Sequence, residues 1–213
     1  MLSEVEARQN ILSATLIAVF RKTGIVRIPV NVSARHLHLC KTNMERLFGV
    51  GSELHPVREL IQPGIFAAEE KVSLVGPKGR IDDVRVLGPL RSKTQVEISM
   101  TDSFKLGTKP ELRLSGDLDS SPGIRLETKR RLLDIPGGVI VARRHLHISD
   151  SEAEVFGLRN GDIIQLKKPG DREAVFGGFV VRRGPAHRLE AHIDTDEANA
   201  AAIRDGDLLE LAL

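Results

Sequence analysis

Apolar side chains in the first part of the chain recur at helical intervals. The pattern runs from Ser3 to Lys22 and ends at Thr23-Gly24, so it predicts an amphipathic N-terminal helix over residues 1–24. Such a helix ordinarily packs against the body of its own protein. The alternative is a docking helix that binds a partner or a compartment shell.

After Ile25 the spacing changes to many short β-rich runs separated by glycine and proline. Examples are IVRIPVNVSA, DDVRVLGPL and FGGFVVRRG. Runs of this length with tight turns are typical of sandwiches and barrels. Two Asn/Asp-Gly turns, in RNGDIIQL and RDGDLLELAL, lead directly into predicted strands, which favours small pseudo-symmetric barrels. The pattern therefore predicts a mainly β protein.

An internal repeat carries four of the seven histidines. VNVSARHLHL at residues 30–39 returns as VIVARRHLHI at residues 139–148, and a short helical segment follows each copy. Further along, VRVLGPLRSKTQVEIS aligns with FVVRRGPAHRLEAHID, so that Glu97 matches His192. Each copy thus supplies three residues of metal-binding type. They are His36, His38 and Glu97 in the first copy and His145, His147 and His192 in the second.

The spacing of each His-Leu-His motif suits a metal site. Residues two apart on a strand face the same way, so both histidines point together while Leu37 and Leu146 face a core. Two histidines with one further ligand are the usual protein set of a catalytic zinc, with a position left for substrate. We expect zinc, although iron, cobalt and nickel accept similar ligands. The alternative is ordinary, hydrogen-bonded strand histidines. His55 and His187 lie outside the repeat, and we expect them to be surface or capping groups.

The composition of the chain argues against two classes of partner, nucleic acids and membranes. A net charge of +2, with no Trp and no Tyr, argues against nucleic-acid binding. No run reaches the ~20 apolar residues of a membrane span, and the N-terminus lacks the features of a secretory signal. The single cysteine, Cys40, makes no internal disulfide. We therefore expect a cytoplasmic protein without a membrane or nucleic-acid partner.

Seven longer motifs together resemble one family. They are RIPVNVSARHLHL, QPGIFAAEEKVSLVGPKG, VRVLGPLRSKTQVEIS, DSFKLG, SGDLDSSPGI, GVIVARRHLHIS and HIDTDEANAA. With them, nearly the whole chain from Ile28 resembles the PduL-type phosphotransacylases, or phosphate propanoyltransferases. The resemblance implies a phosphate acyltransferase that interconverts short-chain acyl-CoA and phosphate with acyl phosphate and CoA at a two-zinc site.

The resemblance also implies a fold and an assembly. It implies two small β-barrel domains capped by short α-helices: a discontinuous one at 25–34 and 143–213, and a central one at 35–142. Family members form homodimers, and many work in bacterial microcompartments, for example in propanediol degradation. The partners implied are therefore acyl-CoA or CoA, phosphate, a second copy of the chain, and microcompartment shell or lumen proteins. Whether the N-terminal helix targets a microcompartment is left open.

Individual roles follow from the same resemblance. The six residues selected by the repeat hold two zinc ions, and Arg91 matches the catalytic arginine that contacts phosphate. The positions that line the CoA site are Ser33, Arg58, Arg85, Leu87 and Asn199. Arg58 stands where the family tends to carry lysine, and a guanidinium does not reliably replace an ammonium contact.

Other hypotheses remain beside this one. The enzyme alternative is a zinc-dependent thioesterase or hydrolase in which water replaces phosphate, and the non-catalytic alternative is a barrel module with structural metals. Glu97 has alternative roles as a general base or as an ion-pair partner of an arginine. Cys40 is the alternative nucleophile for an acyl-enzyme, although it has no evident activating partner.

Overall fold

The computed structural model of the chain describes residues 4–212, which contain five helices and fifteen strands. The helices are α1 (Glu4–Thr23), α2 (Lys41–Phe48), α3 (Met100–Leu106), α4 (Asp150–Phe156) and α5 (Thr195–Ala200). The strands are β1 (Arg27–Ser33), β2 (His36–His38), β3 (Pro56–Glu59), β4 (Phe66–Val75), β5 (Arg80–Gly88), β6 (Gln95–Glu97), β7 (Leu112–Arg113), β8 (Ile124–Glu127), β9 (Leu132–Ile135), β10 (Val139–Ala142), β11 (His145–Ile148), β12 (Ile163–Lys168), β13 (Ala174–Arg183), β14 (Glu190–Asp194) and β15 (Leu208–Ala212).

The described chain divides into two compact units. The first contains residues up to Ser33, residues Ile61–Pro63 and residues from Arg143 onward, and the second contains Ala34–Leu60 and Gly64–Ala142. In the first unit six strands form a closed barrel in the order β1-β14-β11-β13-β12-β15. In the second unit nine strands form a half-barrel sheet in the order β7-β10-β6-β2-β5-β4-β8-β9, with β3 paired to β4. The predicted mainly β class with capping helices and an N-terminal helix is confirmed.

The internal repeat is visible in the strand pairing. Each His-Leu-His strand, β2 or β11, pairs in parallel with one strand and antiparallel with another. The parallel pairs place Leu37 beside Val86 and Leu146 beside Val181, so the predicted alignment of the two copies is confirmed. Both leucines have no exposed surface. Because side chains alternate along a strand, burial of the leucines turns the flanking histidines to the other face.

Local sequence signals explain the helices and turns around these strands. Ser149 and Glu152 form the predicted capping box of α4, and Ser99 with Asp102 forms one at α3. The turns before β12 and β15 carry Gly161 and Gly206 at φ 86° and 85°. Glycine reaches this left-handed region without steric cost, which fits the predicted Asn/Asp-Gly turns.

Helix α1 packs on the first unit. Leu16 is buried in the core of that unit, and the ring of Phe20 meets Phe156 edge to face at a centroid distance of 5.3 Å. The Ser13 hydroxyl donates to the Glu152 carboxylate on α4. The packing role predicted for this helix is therefore observed over Glu4–Thr23, and residues 1–3 lie outside the described residues. Within residues 4–212 no helix has both the length and the apolarity that crossing a membrane requires.

Candidate metal centres

Four side chains from two adjacent strands make up the first candidate centre. His36 and His38 lie on β2, and the antiparallel strand β6 sets Glu97 opposite His36 and Gln95 opposite His38. Residues two apart share one face of a strand, so the four side chains form a two-by-two array, here named the first quartet. The Glu97 carboxylate is 3.6 Å from His36 Nε2, and only 8% of the Glu97 surface is exposed.

The second candidate centre repeats this array in the first unit. On β11 and β14, His145 lies opposite His192 and His147 lies opposite Glu190, and these four residues are named the second quartet. Three members of each quartet offer ligand atoms that all lie within 4.8 Å of one another. These are the two predicted triads: His36, His38 and Glu97, and His145, His147 and His192.

Backbone carbonyls fix the tautomer of three histidines. Nδ1 lies 2.9 Å from the Ala34 carbonyl in His36, 3.1 Å from the Leu87 carbonyl in His38, and 2.9 Å from the Arg143 carbonyl in His145. A carbonyl only accepts, so Nδ1 carries the hydrogen and Nε2 of each neutral ring keeps a lone pair. Histidines that bind metals are commonly oriented by such a contact.

The donor spacing fits a divalent cation. Ligand atoms about 2.1 Å from a tetrahedral zinc lie roughly 3.4 Å apart. Nε2 of His145 is 3.2 Å from Nε2 of His147, close to this value. Within the described residues the buried Nδ1 of His147 has no hydrogen-bond partner. If Nδ1 carries the hydrogen, two lone pairs face each other, and if Nε2 carries it, a buried acceptor stays unsatisfied. A cation bound between the two Nε2 atoms removes the repulsion between their lone pairs.

The two quartets differ in their electrostatics. Burial alone would lower the pKa of His36, but the charge and hydrogen bond of Glu97 raise it above the ordinary value. Burial, followed by the charges of His36 and Arg91, lowers the pKa of His38 to about 3. Burial and the neighbouring histidines, His145 first, also hold the pKa of His147 well below its usual range. His38 and His147 are therefore neutral near pH 7, as a metal ligand must be.

Arg91 lies beside the first quartet. Its Nη1 donates to Ser115 Oγ at 3.0 Å, and Gln95 Nε2 donates to the same oxygen at 2.8 Å. Gln95 also donates to Glu97 Oε1. A chain of hydrogen bonds thus connects the guanidinium to the carboxylate of the triad.

The positions predicted for CoA divide between the units. In the second unit, Arg85 is the parallel-strand partner of His36, and the Leu87 carbonyl contacts His38. In the first unit, Ser33 Oγ lies 3.4 Å from His192 Nδ1. Arg58 on β3 and Asn199 on α5 are exposed, and no hydrogen bond or ion pair among the described residues ties either side chain to a quartet.

Sequence reasoning missed several polar residues at the quartets. Gln95 and Glu190 stand two residues before Glu97 and His192, so strand alternation together with the repeat was the signal that would have found them. Ser115 lies in a loop and gave no such signal. His187 was expected to be a surface or capping group; its side chain is half-buried, and its ring meets that of His147 at a centroid distance of 4.6 Å. His55, the other outlying histidine, is exposed and contacts Glu70 at 2.6 Å.

Similarity to known proteins identifies the family of the chain. A sequence model described as phosphate propanoyltransferase matches residues 29–204. The phosphate propanoyltransferase of Thermotoga maritima is 48% identical over 83% of this chain and 83% of its own. The phosphate propanoyltransferase of Salmonella typhimurium is 46% identical over 88% of this chain and 90% of its own. The chain therefore belongs to the phosphate propanoyltransferase family, and the enzyme class that the sequence predicted, a phosphate acyltransferase, is confirmed.

Proposed function

We propose that the protein interconverts a short-chain acyl-CoA and phosphate with an acyl phosphate and CoA, at two zinc ions held by the two triads. The observation that carries the proposal is the duplicated array, in which the same strand pairing brings three donor atoms to within 4.8 Å in each unit. A structural zinc normally has four protein ligands, whereas each triad supplies three. The remaining position suits a substrate.

The reaction needs no nucleophile from the protein. A phosphate oxygen forms a bond to the thioester carbon, the carbon–sulfur bond breaks, and its electron pair leaves with the CoA sulfur. When bound, a divalent ion supplies positive charge that orients phosphate and offsets the negative charge developing on the thioester. The chain's part is to hold those charges in place, and carbonyl-anchored imidazoles do this without rearrangement.

Arg91 is the proposed catalytic residue. Its planar guanidinium is charged at any working pH and can bind phosphate through two parallel hydrogen bonds. Its contact with Ser115 restricts the orientation of the side chain, and its charge acts on His36 and His38. These observations support a phosphate position beside the first quartet.

Coenzyme A is the proposed second ligand, bound by Ser33, Arg58, Arg85, Leu87 and Asn199. Support for Arg85 and Leu87 comes from their places beside His36 and His38. We propose barrel domains at 25–34 with 143–213 and at 35–142, in a cytoplasmic homodimer. Placement in a bacterial microcompartment, with shell or lumen partners, is the alternative location. Light scattering of the purified protein tests the dimer.

An assay of CoA thiol release tests the activity. Purified enzyme is given propanoyl-CoA with and without inorganic phosphate, and acetyl-CoA is run in parallel to compare acyl chains. Release that requires phosphate and yields acyl phosphate supports the proposal. Equal release without phosphate would overturn it in favour of the thioesterase, and no release from protein containing two zinc ions would favour a non-catalytic module.

A further inference from the structure

Arg182 places a positive charge beside the second quartet that the proposed mechanism does not use. It is the parallel-strand partner of His147, just as Val181 is the partner of Leu146. Leu146 and Val181 are buried in the core of the first unit. Because side chains alternate along a strand, Arg182 and His147 point to the opposite face. The side chain of Arg182 therefore lies on the face that carries the second triad.

Three adjacent strands form a similar row of side chains in each unit. Each row contains an arginine, a triad histidine and a carboxylate. The rows are Arg85, His36 and Glu97 on β5, β2 and β6, and Arg182, His147 and Glu190 on β13, β11 and β14. The repeat thus supplies each quartet with one arginine from the strand that runs parallel to the His-Leu-His strand.

The arginines of the two rows differ in their partners. Arg85 donates to a backbone carbonyl of β4. Arg182 is half-buried, and among the residues that the structure describes no hydrogen bond or ion pair holds its guanidinium. The next residue, Arg183, faces the other side of β13 and pairs with Asp150 at 2.7 Å and with Glu154 at 3.1 Å. The charge of Arg182 is thus available to a ligand, whereas that of Arg183 is neutralised within the protein.

Arg182 is also fixed close to the second triad. Its backbone carbonyl accepts from Nδ1 of His187 at 2.8 Å, which ties the end of β13 to the turn that follows. Burial and the neighbouring histidines lower the pKa of His147, and the charge of Arg182 acts in the same direction. The carboxylate of this row, Glu190, contacts His192 at 2.9 Å. The guanidinium therefore adds positive charge on the face of the triad.

We propose that Arg182 is a substrate-binding residue of the second centre and that it binds a phosphoryl group. A guanidinium presents a planar pair of donors, and phosphoryl oxygens accept two parallel hydrogen bonds from it. Two substrates of the proposed reaction carry phosphoryl oxygens, namely inorganic phosphate and CoA. The inference rests on the proposed function, because it takes its ligands from that reaction.

Titration calorimetry of zinc-loaded protein with inorganic phosphate and, separately, with CoA tests this role. Arg182→Ala should weaken the binding of at least one of the two ligands about 10–100-fold, as expected for the loss of a hydrogen-bonded charge. The affected ligand identifies the source of the phosphoryl group. Arg182→Lys should recover part of the affinity, since an ammonium keeps the charge but not the paired donors. Arg183→Ala is the matched control on the other face of β13, and it should change neither affinity.

The affinity for Zn²⁺ separates ligand binding from support of the triad. Like charges repel, so removal of Arg182 should leave the affinity for Zn²⁺ equal to or above that of the wild type. A lower affinity for Zn²⁺ in Arg182→Ala, or unchanged affinities for both phosphate and CoA, would overturn the inference and leave the proposed function intact. A wild-type protein that binds neither phosphate nor CoA would overturn both. If Arg182→Ala does not fold, Arg182→Lys decides, and unchanged affinities for both ligands there overturn the inference.

Discussion

The two quartets have the same scaffold and different chemistry. In each, an antiparallel pair sets the first histidine of a His-Leu-His strand opposite the third triad member and the second histidine opposite a polar partner. The first quartet fills these two corners with Glu97 and Gln95, and the second fills them with His192 and Glu190. The duplicated strands thus place side chains at the same four positions in both quartets. The carboxylate lies opposite the first histidine in the first quartet and opposite the second histidine in the second quartet.

This difference alters how the histidines hold protons. The Glu97 carboxylate contacts His36 directly and raises its pKa, whereas His147 has histidine neighbours and its pKa is lowered. His36 can therefore hold a proton in place of a cation more easily than His38 or His147. Proton competition should weaken metal binding at low pH in both quartets, since each imidazole must be neutral to bind.

Removal of one histidine from either quartet should have the largest effect. His38 and His147 occupy the same corner, so His38→Ala and His147→Ala should each reduce the zinc content from near two ions per chain to near one. Phosphate-dependent CoA release should fall about 10³-fold in both, because the proposed reaction uses the charge of both ions. Elemental analysis and the thiol assay measure the two effects. If one variant keeps its activity, the ion of that quartet is structural and the two centres are not functionally equivalent.

Arg91 distinguishes the quartets, because the proposed phosphate contact belongs to the first. Arg91→Ala should lower turnover about 10²–10³-fold, the usual cost of one transition-state contact, with zinc content unchanged. Arg91→Lys should recover only part of the rate, since an ammonium does not make two parallel contacts. Arg130→Ala, at an exposed arginine, is the control. Most of the activity surviving in Arg91→Ala would remove Arg91 from the mechanism.

The triads were predictable because two local signals coincide. Alternation along a strand sets His36 and His38 on one face and the fully buried Leu37 on the other, and the repeat supplies the same information twice. The N-terminal helix and the α4 capping box were likewise confirmed from spacing within a few residues.

Strand alternation and the repeat set Gln95 and Glu190 on the faces of the two triads, but their hydrogen-bond partners depend on contacts that local spacing does not encode. Glutamine is not a typical metal ligand, and Gln62 reaches Glu190 across 128 positions of sequence. Closure of one sheet also depends on distant pairing, because β1 joins β15 from opposite ends of the described chain. The contact of His187 with His147 was not predicted for the same reason, since the turn after β13 brings the two rings together.

The pH dependence of stability in the metal-free protein tests the electrostatics of the first quartet. The pKa of His38 is lowered to about 3 from 6.5, so between these values the unfolded state binds the extra proton and stability falls as pH falls. From pH 6.5 to 5 this group contributes about 2 kcal/mol of lost stability. Denaturant unfolding of His38→Gln should show a pH dependence flatter by that amount.

His55 should change stability with pH in the opposite direction to His38. Glu70 raises the pKa of His55, so its contribution to stability is present below pH 6.5 and is lost as the pH rises through the folded value. Replacement by Gln in His55→Gln should therefore not flatten the fall of stability on the acid side. Equal slopes in the wild type and His38→Gln would show that the pKa of His38 is not lowered in the folded protein.

The smallest effect is expected at Ser115, whose hydroxyl lies between Arg91 and Gln95 beside the first quartet. Ser115→Ala removes the oxygen that accepts from both Arg91 and Gln95, and one such loss costs about 1 kcal/mol of folding free energy. A loss of similar size in the stabilisation of the transition state lowers turnover roughly 5–10-fold, since a factor of ten corresponds to about 1.4 kcal/mol. Zinc content should stay near two because the triad is intact. Ser120→Ala, at an exposed serine, controls for the substitution. A loss of zinc in Ser115→Ala would place the serine with the metal ligands, whereas a loss of rate alone assigns it to Arg91.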